Sequence, residues 1–405
     1  MARPMHETNA AGWRRASALR KCALRLRSGT PGMQDPSSVF SSSEAGALSR
    51  LPGPAVAAPA ETIAKNRGWI ESPVYDLSLF SLSPIAGLLV IALDRGMHLG
   101  SPVGVLAVYF VGIPHYLSTF TFYLGDQNRS HYLARWTAFF LGPLIIFASV
   151  FALRVLDVSG AVQSVIFTWN IYHVSLQSAG ILSIYRRLNA GQQKEKVWGH
   201  LTILFVNATM AFWFLRYFPP LYSFLVRIHP EAPLALRYAC LTTAIVAGTG
   251  YAIQLARRPG PVGVSEWAFL ISSLLLFHPY LWLQDSLLAT IATLMGHFIQ
   301  YLGIIWLLNR RKFTEQQASG SRAQQWLVKL SSNPRLLMVS LLIVGAFFLA
   351  LDRGSRIVGM YLSYIIVWNS LVLIHFYVDG LVWAFRNSFV RQTVGPYLVL
   401  ESHRV

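Results

Sequence analysis

The sequence predicts an all-α, polytopic integral membrane protein: a bundle of about ten transmembrane helices with both termini in the cytoplasm. Three observations predict it. Of the 405 residues, 54% are hydrophobic and only 13% are charged, a balance unlike that of soluble globular proteins. Apolar runs of about 20 residues, the length that crosses a bilayer, recur from Tyr75 onward. Basic residues concentrate in alternate loops between these runs.

Residues 1–70 differ from the rest of the chain. They begin with an Arg-rich, acid-poor stretch and continue in Ser, Ala, Gly and Pro, a composition that buries too little apolar surface to fold alone. We predict a disordered basic tail. The same composition is also typical of an organellar targeting segment, or the translation start has been assigned too far upstream. Residues 71–390 then form the transmembrane domain, and residues 391–405 form a cytoplasmic C-terminal tail.

The loops between the apolar runs indicate the orientation of the chain. Four loops, at 125–135, 185–196, 256–263 and 309–335, carry fourteen Lys and Arg residues, whereas seven lie in or beside the intervening loops. Cytoplasmic loops are the ones enriched in Lys and Arg, so this alternation places both termini in the cytoplasm and predicts an even number of spans. We predict that the membrane is the inner (plasma) membrane of the cell, with an organelle membrane as the alternative. The predicted spans are 75–94, 102–124, 136–155, 161–184, 197–218, 235–255, 264–283, 284–308, 336–351 and 357–384.

Charge and cysteine content exclude two classes of protein. The net charge of +17 would indicate a nucleic-acid partner in a soluble protein, but here the basic residues lie mostly between apolar runs, so we predict none. Cys22 and Cys240 are the only cysteines, too few and too far apart for a disulfide framework or a thiolate metal site. A metal would therefore be held by histidine and carboxylate.

Histidines scattered over many spans are the unusual feature of the chain. Ionisable side chains in a span are costly and commonly face the bundle interior, where they serve a function. A single histidine is most often only a helix–helix hydrogen-bond partner, but several at similar depth favour a shared site. Six histidines are candidates for metal ligands: His115, His131, His173, His278, His297 and His375.

Helical spacing places further polar groups beside these histidines. His173 and Gln177 are four residues apart, as are His375 and Asp379, so each pair lies on one helix face. Gln177 and Asp379 are the candidate catalytic residues, with Asp379 as either a ligand or a group that orients one. Candidates for hydrogen bonds to ligating histidines are Asn170, Gln177, Gln300 and Asp379.

Depth along the predicted spans groups some of the histidines. At about 1.5 Å per residue, His115, His173 and His297 fall at a similar distance, about 18–20 Å, from the outer ends of their spans. His375 lies deeper, towards the cytoplasm, and His131 lies at the cytoplasmic mouth. Simple counting puts His278 in the outer half.

Imidazoles with a carboxylate in a dry pocket predict a divalent metal, iron first, with copper or zinc as alternatives. We therefore predict a metal-dependent membrane oxidoreductase or oxygenase that acts on a lipophilic substrate, a lipid or an isoprenoid, with an electron-donor protein as a candidate partner. Two alternatives use the same histidines: a proton-coupled transporter and a membrane protein that binds haem b between facing helices.

HYLSTF on an early helix and HFYVDGLVW near the end of the chain resemble the Brp/Blh-type membrane carotene dioxygenases. The resemblance implies an all-helical membrane fold, iron bound by histidines, and oxidative cleavage of a long isoprenoid to an aldehyde. It implies an iron-ligand role for His115, in PHYLSTF. The chain departs from that family late in the sequence, where His-x-x-x-Asp stands instead of a paired His-x-x-x-His.

Overall fold

The fold is described by a computed structural model over residues 68–96, 102–124, 126–190, 197–313 and 320–398. Nearly all of the predicted N-terminal tail, residues 1–67, lies outside the described residues. Regular structure in the described part of the chain is helical throughout, with no β-strand. The prediction of an all-α fold is confirmed.

The helices follow one another with short connections. In chain order they are α1 (Pro73–Asp76), α2 (Ser83–Gly96), α3 (Pro102–Ala107), α4 (Ile113–Ser118), α5 (Thr121–Leu124), α6 (Asp126–Ala134), α7 (Gly142–Val155), α8 (Ser159–Ala190), α9 (Trp198–Trp213), α10 (Pro219–Ile228), α11 (Ala232–Ala256), α12 (Val264–Leu275), α13 (Ser286–Lys312), α14 (Arg322–Ser332), α15 (Pro334–Ile357), α16 (Tyr361–Val382), α17 (Ser388–Thr393) and α18 (Gly395–Leu398). Short π-helical segments extend or join some of them: Leu77–Ser81, Val108–Gly112 and Thr137–Leu141. Two 3-10 turns complete the set: Leu215–Tyr217 and His278–Leu281.

Six helical segments of the described chain are long and apolar enough to cross a membrane: Val103–Tyr123, Thr137–Val155, α11, α13, α15 and α16. The pair Pro73–Ser81 and Ser83–Gly96, bent by 52°, makes a seventh if it is counted as one span. Three predicted spans do not meet the same criteria. α8 has 32 residues but is too polar, and α9 and α12 are short, with 16 and 12 residues.

Burial separates a central helix from outer ones. In α13, 78% of the most apolar stretch is buried, against 6% in α15 and 11% in Thr137–Val155. The outer helices present large apolar side chains such as Leu342, Ile343 and Phe347 on the surface. In water such a face would be unfavourable, whereas in a bilayer it meets lipid. α13 therefore forms the middle of the bundle.

Close packing fixes the broken helix α1–α2 against α13. Gly87 lies directly against the backbone of Ala292, and a Cβ at Gly296 would lie 2.9 Å from the carbonyl oxygen of Ser83, so only glycine allows this approach. At the break, Gln300 Nε2 donates to the carbonyl oxygen of Phe80 at 2.9 Å and to Ser83 Oγ at 2.7 Å. Gln300 therefore satisfies the interrupted backbone instead of supporting a histidine.

The C-terminal residues pack on the bundle. Val390, Val394 and Leu398 are buried in the cluster that also contains Tyr185 and Tyr301. Residues 391–398 of the predicted C-terminal tail thus belong to the packed domain, because α17 and α18 bury apolar side chains there. Residues 399–405 lie outside the described part of the chain.

Candidate metal centre

Four histidines from four helices meet inside the bundle. Their side chains are 0–8% exposed, and they offer ligand nitrogens that all lie within 4.8 Å of one another. The histidine cluster consists of His115 on α4, His173 on α8, His297 on α13 and His375 on α16.

The rings of the histidine cluster contact one another edge to face. The ring centroid of His115 lies 4.7 Å from that of His297 and 4.5 Å from that of His375. The centroid of His173 lies 5.3 Å from His297 and 5.1 Å from His375. Each of the four rings thus contacts two others, so the cluster surrounds a single point.

Most of the ring nitrogens in the cluster have no protein partner. Within the described residues, six of them are buried without a hydrogen bond: both nitrogens of His115, both of His297, and Nε2 of His173 and of His375. Each unpaired buried polar atom costs about 1–3 kcal/mol. Each neutral imidazole carries one N–H donor and one lone pair, yet within the described residues no hydrogen bond joins two of these rings. One cation would accept a lone pair from each of the four. The donor set therefore fits a divalent transition metal.

Asp379 adds a carboxylate to the cluster. It lies one turn after His375 on α16 and is 3% exposed. Its Oδ1 accepts hydrogen bonds from the Tyr301 hydroxyl at 2.6 Å and from Thr119 Oγ1 at 2.9 Å. Among the described residues its Oδ2 has no hydrogen-bond partner, and it lies 3.8 Å from Nε2 of both His173 and His375. One carboxylate oxygen is therefore held by the protein and the other faces the cluster.

The contacts of Thr119 favour one tautomer of His375. Thr119 Oγ1 lies 2.9 Å from Asp379 Oδ1, 2.8 Å from Nδ1 of His375 and 2.7 Å from the Tyr301 hydroxyl oxygen. When its single hydrogen is donated to the carboxylate, Nδ1 of His375 is the donor of the second bond. The lone pair of His375 then resides on Nε2, the nitrogen that faces the cluster. This is the arrangement by which proteins orient a ligating imidazole.

The polar groups beside the cluster form a second layer. Each histidine of the cluster has a polar residue four positions later in the chain: Thr119, Gln177, Tyr301 and Asp379 respectively. On a helix, this spacing places the second residue one turn further along the same face. Thr119, Tyr301 and Asp379 contact one another. The histidines that precede them by four residues also contact one another. α13 and α16 and the helical segment that carries His115 and Thr119 therefore run in the same direction.

Sequence reasoning identified Gln177 and Asp379 in this layer but missed Thr119 and Tyr301. A threonine or tyrosine in a span is unremarkable alone, since its hydroxyl commonly bonds to the backbone or to a neighbouring helix. The signal that could have found them is the shared spacing of four residues after each histidine. Tyr301 also receives a long hydrogen bond of 3.4 Å from Trp383 Nε1.

The structure places His131 and His278 outside the cluster. The half-buried ring of His131, on α6, stacks on Phe389 with a centroid distance of 3.5 Å and an interplanar angle of 4°. Burial, with a smaller contribution from Arg135, lowers the pKa of His131 to about 4. His278 lies in the 3-10 turn after α12, where its Nδ1 is 2.7 Å from the carbonyl oxygen of Leu275.

A cavity of about 710 Å³ reaches the cluster from one side. His173 and Asp379 lie in its wall, together with Gln177, whose two amide atoms have no hydrogen-bond partner among the described residues. The wall between these polar groups and the far end is mainly apolar. The cavity therefore joins the candidate metal centre to an apolar space large enough for one ligand molecule.

The fold and the site together define a class: a helical membrane protein with a buried four-histidine candidate metal centre. Comparisons with protein-family models, with curated proteins and with solved structures gave no match for this chain.

Proposed function

We propose that the protein is a metal-dependent membrane oxidoreductase of the oxygenase type that acts on a hydrophobic substrate. The observation that carries the proposal is the histidine cluster, in which four imidazoles from four helices surround one point with six unpaired ring nitrogens. Scattered helix–helix contacts would pair each histidine with a separate neighbour. A common centre is what a metal site requires.

The donor set favours iron over the alternatives copper and zinc. Four imidazole nitrogens with a nearby carboxylate oxygen, that of Asp379, suit a non-haem iron with room for a further ligand. The resemblance of PHYLSTF around His115 to carotene dioxygenases supports the same metal. Bound iron would supply the one-electron and oxygen chemistry that amino-acid side chains lack.

The residues of the chain would hold the metal and shape its surroundings. The four histidines would be its ligands, and Asp379 would be either a fifth ligand or a hydrogen-bonded anion beside them. Gln177 lies in the cavity wall next to His173, where its unpaired amide can orient a polar group of the substrate. The apolar wall would hold a lipophilic chain and exclude water, which also protects reactive species from side reactions.

The packing of the rings favours a single ion over haem b. The ring of His115 contacts His297, His375 and Tyr301 with centroid distances of 4.5–4.7 Å. Rings packed edge to face at this separation leave no planar gap for a macrocycle between two axial histidines. A proton-coupled transporter remains the alternative that uses the same histidines without any metal.

Elemental analysis of the full-length protein, purified in detergent from cells supplied with Fe, Cu, Zn and Mn, tests the proposal. We expect about one iron per chain in the wild type, and less than a tenth of that in His297→Ala, since the variant lacks one ligand. His278→Ala is the matched control and should retain the metal, because its imidazole lies outside the cluster.

Three results would contradict the proposal. Substoichiometric Fe, Cu, Zn and Mn in the folded wild type would refute the proposed metal centre. Proteoliposome flux that is lost in His173→Ala while the wild type carries no metal would instead establish the transporter. A Soret band in the visible spectrum of the purified protein would identify haem.

A further inference from the structure

One wall of the cavity is a stripe along α8. His173, Gln177, Gly180, Ile184 and Arg187 all line the cavity and are spaced by four, three, four and three residues, so they lie on one helix face. At 1.5 Å per residue this stripe runs for about 21 Å from the histidine cluster to the arginine. The cavity is therefore elongated, with its metal-binding end and its basic end far apart.

The chain around the end of α16 also lines the cavity, with the same order of residue types. Asp379 lies at the cluster, Trp383 follows it, and Arg386 lies beyond the helix, all three lining the cavity. Both walls thus run from the histidine cluster through apolar residues to an arginine. Two independent segments of the chain converge on this arrangement.

Among the described residues that line the cavity, none at its basic end is acidic. Arg187 and Arg386 are exposed, and neither forms an ion pair or hydrogen bond with another described residue. Asp379, at the other end, is the one carboxylate among the residues that line the cavity. Both arginines line the same apolar cavity. Guanidinium groups bind carboxylate and phosphate oxygens in a bidentate manner.

We propose that the cavity binds a single-chain amphiphile whose anionic head group, a carboxylate or a phosphate, lies at Arg187 and Arg386 and whose apolar chain extends to the histidine cluster. This inference rests on the proposed function. The length agrees, because an acyl chain spans about half of the roughly 30 Å hydrocarbon core of a bilayer, and the cavity runs somewhat further. The head group stays at the aqueous mouth, while the chain replaces water along an apolar wall.

Displacement of a fluorescent long-chain fatty acid from the full-length protein in detergent tests this inference. Three competitors of equal chain length are used: hexadecanoate, hexadecyl phosphate and hexadecanol. We expect both anions to compete at least tenfold better than the alcohol, and the better of the two anions identifies the head group. Arg187→Gln and Arg386→Gln should each weaken anion binding roughly five- to tenfold and leave the alcohol unchanged. Arg257→Gln, an exposed arginine outside the cavity, should change neither.

Equal competition by the acid, the phosphate and the alcohol would overturn the inference, as would anion binding that survives the double variant Arg187→Gln, Arg386→Gln. Metal content measured on the same samples separates this result from the fate of the proposed function. Bound iron without head-group selectivity would leave the metal centre and refute the amphiphile. Arginine-dependent anion binding without any metal would support the amphiphile site and refute the metal centre.

Discussion

Asp76 and Asp379 are both buried inside the bundle, at 0% and 3% exposure, and differ in how their oxygens are used. Asp76 Oδ2 accepts from the Ile70 amide at 2.6 Å and the Tyr185 hydroxyl at 3.0 Å, and its Oδ1 accepts from the Glu71 amide at 3.1 Å. Asp379 has only its Oδ1 occupied.

The difference between the two carboxylates distinguishes a structural group from a candidate functional one. A buried polar group that serves the fold is paired on all sides, because each missing bond costs free energy. An oxygen left unpaired beside four imidazoles is available to contact a bound metal ion. The comparison predicts that the two aspartates respond differently to the same kind of substitution.

Replacing Asp76 should have the largest effect on stability. Asp76→Ala leaves the amides of Ile70 and Glu71 and the Tyr185 hydroxyl without their acceptor, so we expect the free energy of unfolding to fall by about 3 kcal/mol. Thermal unfolding in detergent measures this loss. Metal content per folded chain should not change. Ser78→Ala, on an exposed position two residues away, is the control and should shift stability by less than about 0.5 kcal/mol. A loss of metal in Asp76→Ala with normal stability would show that Asp76 serves the metal site and not the fold.

Replacing Asp379 should act on the metal more than on the fold. Asp379→Asn keeps the size of the side chain and removes its charge, so we expect metal affinity to fall by about 10- to 100-fold. Competition with a chelator of known affinity gives the number. Asp285→Asn, at the exposed N-cap of α13, is the matched control. Unchanged metal affinity in Asp379→Asn would mean that Oδ2 does not face the bound ion.

Tyr301 sharpens the comparison with a smaller change. Tyr301→Phe removes one of two hydrogen bonds to Asp379 Oδ1 while Thr119 retains the other, so the carboxylate should be held less firmly. We expect metal affinity to fall about fivefold, which corresponds to a hydrogen bond of about 1 kcal/mol. Tyr116→Phe serves as the control, since its ring also packs on His115. An equal loss in both variants would attribute the effect to packing alone.

His131 provides the smallest expected effect, from an imidazole outside the cluster. Its pKa in the folded protein is about 4, below the usual 6.5, so the folded state prefers the neutral ring. The stability that this preference contributes is fully present above pH 6.5 and is lost as the pH falls towards 4. His131→Phe keeps the stack on Phe389 and should flatten the acid side of the curve of melting temperature against pH. Identical curves for the two proteins would refute this assignment.

The fold was predictable where apolar runs are long and continuous, as in α11, α13, α15 and α16. The count of about ten spans is not confirmed, because the runs at 197–218 and 264–283 contain helices of 16 and 12 residues. Phe214 and the HPYL turn at 278–281 interrupt them. Hydropathy detects apolar composition, whereas helix length depends on local backbone geometry that the sequence pattern does not reveal. Span number beyond six and the cytoplasmic placement of both termini remain predictions.

Within the site, the depth of the histidines along their spans is easier to predict than the residues that bond to them. Three of the four clustered histidines were expected at similar depth. The layer next to them is harder to predict: the sequence suggests Gln300 as a partner, whereas its neighbour Tyr301 is the one that contacts Asp379. Adjacent residues on a helix point about 100° apart, so an error of one position selects the wrong face. Only the positions of the neighbouring helices decide between the two.

The four histidines of the cluster are synthesised at very different times. Thr119 and Asp379, which hold the two ends of the network beside the cluster, are 260 residues apart in the chain, and α16 is made after α4, α8 and α13. A ribosome-bound or truncated chain that lacks α16 therefore exposes orphaned imidazoles inside the lipid. A metal that needs all four imidazoles could therefore be completely coordinated only after the last of these helices has joined the bundle.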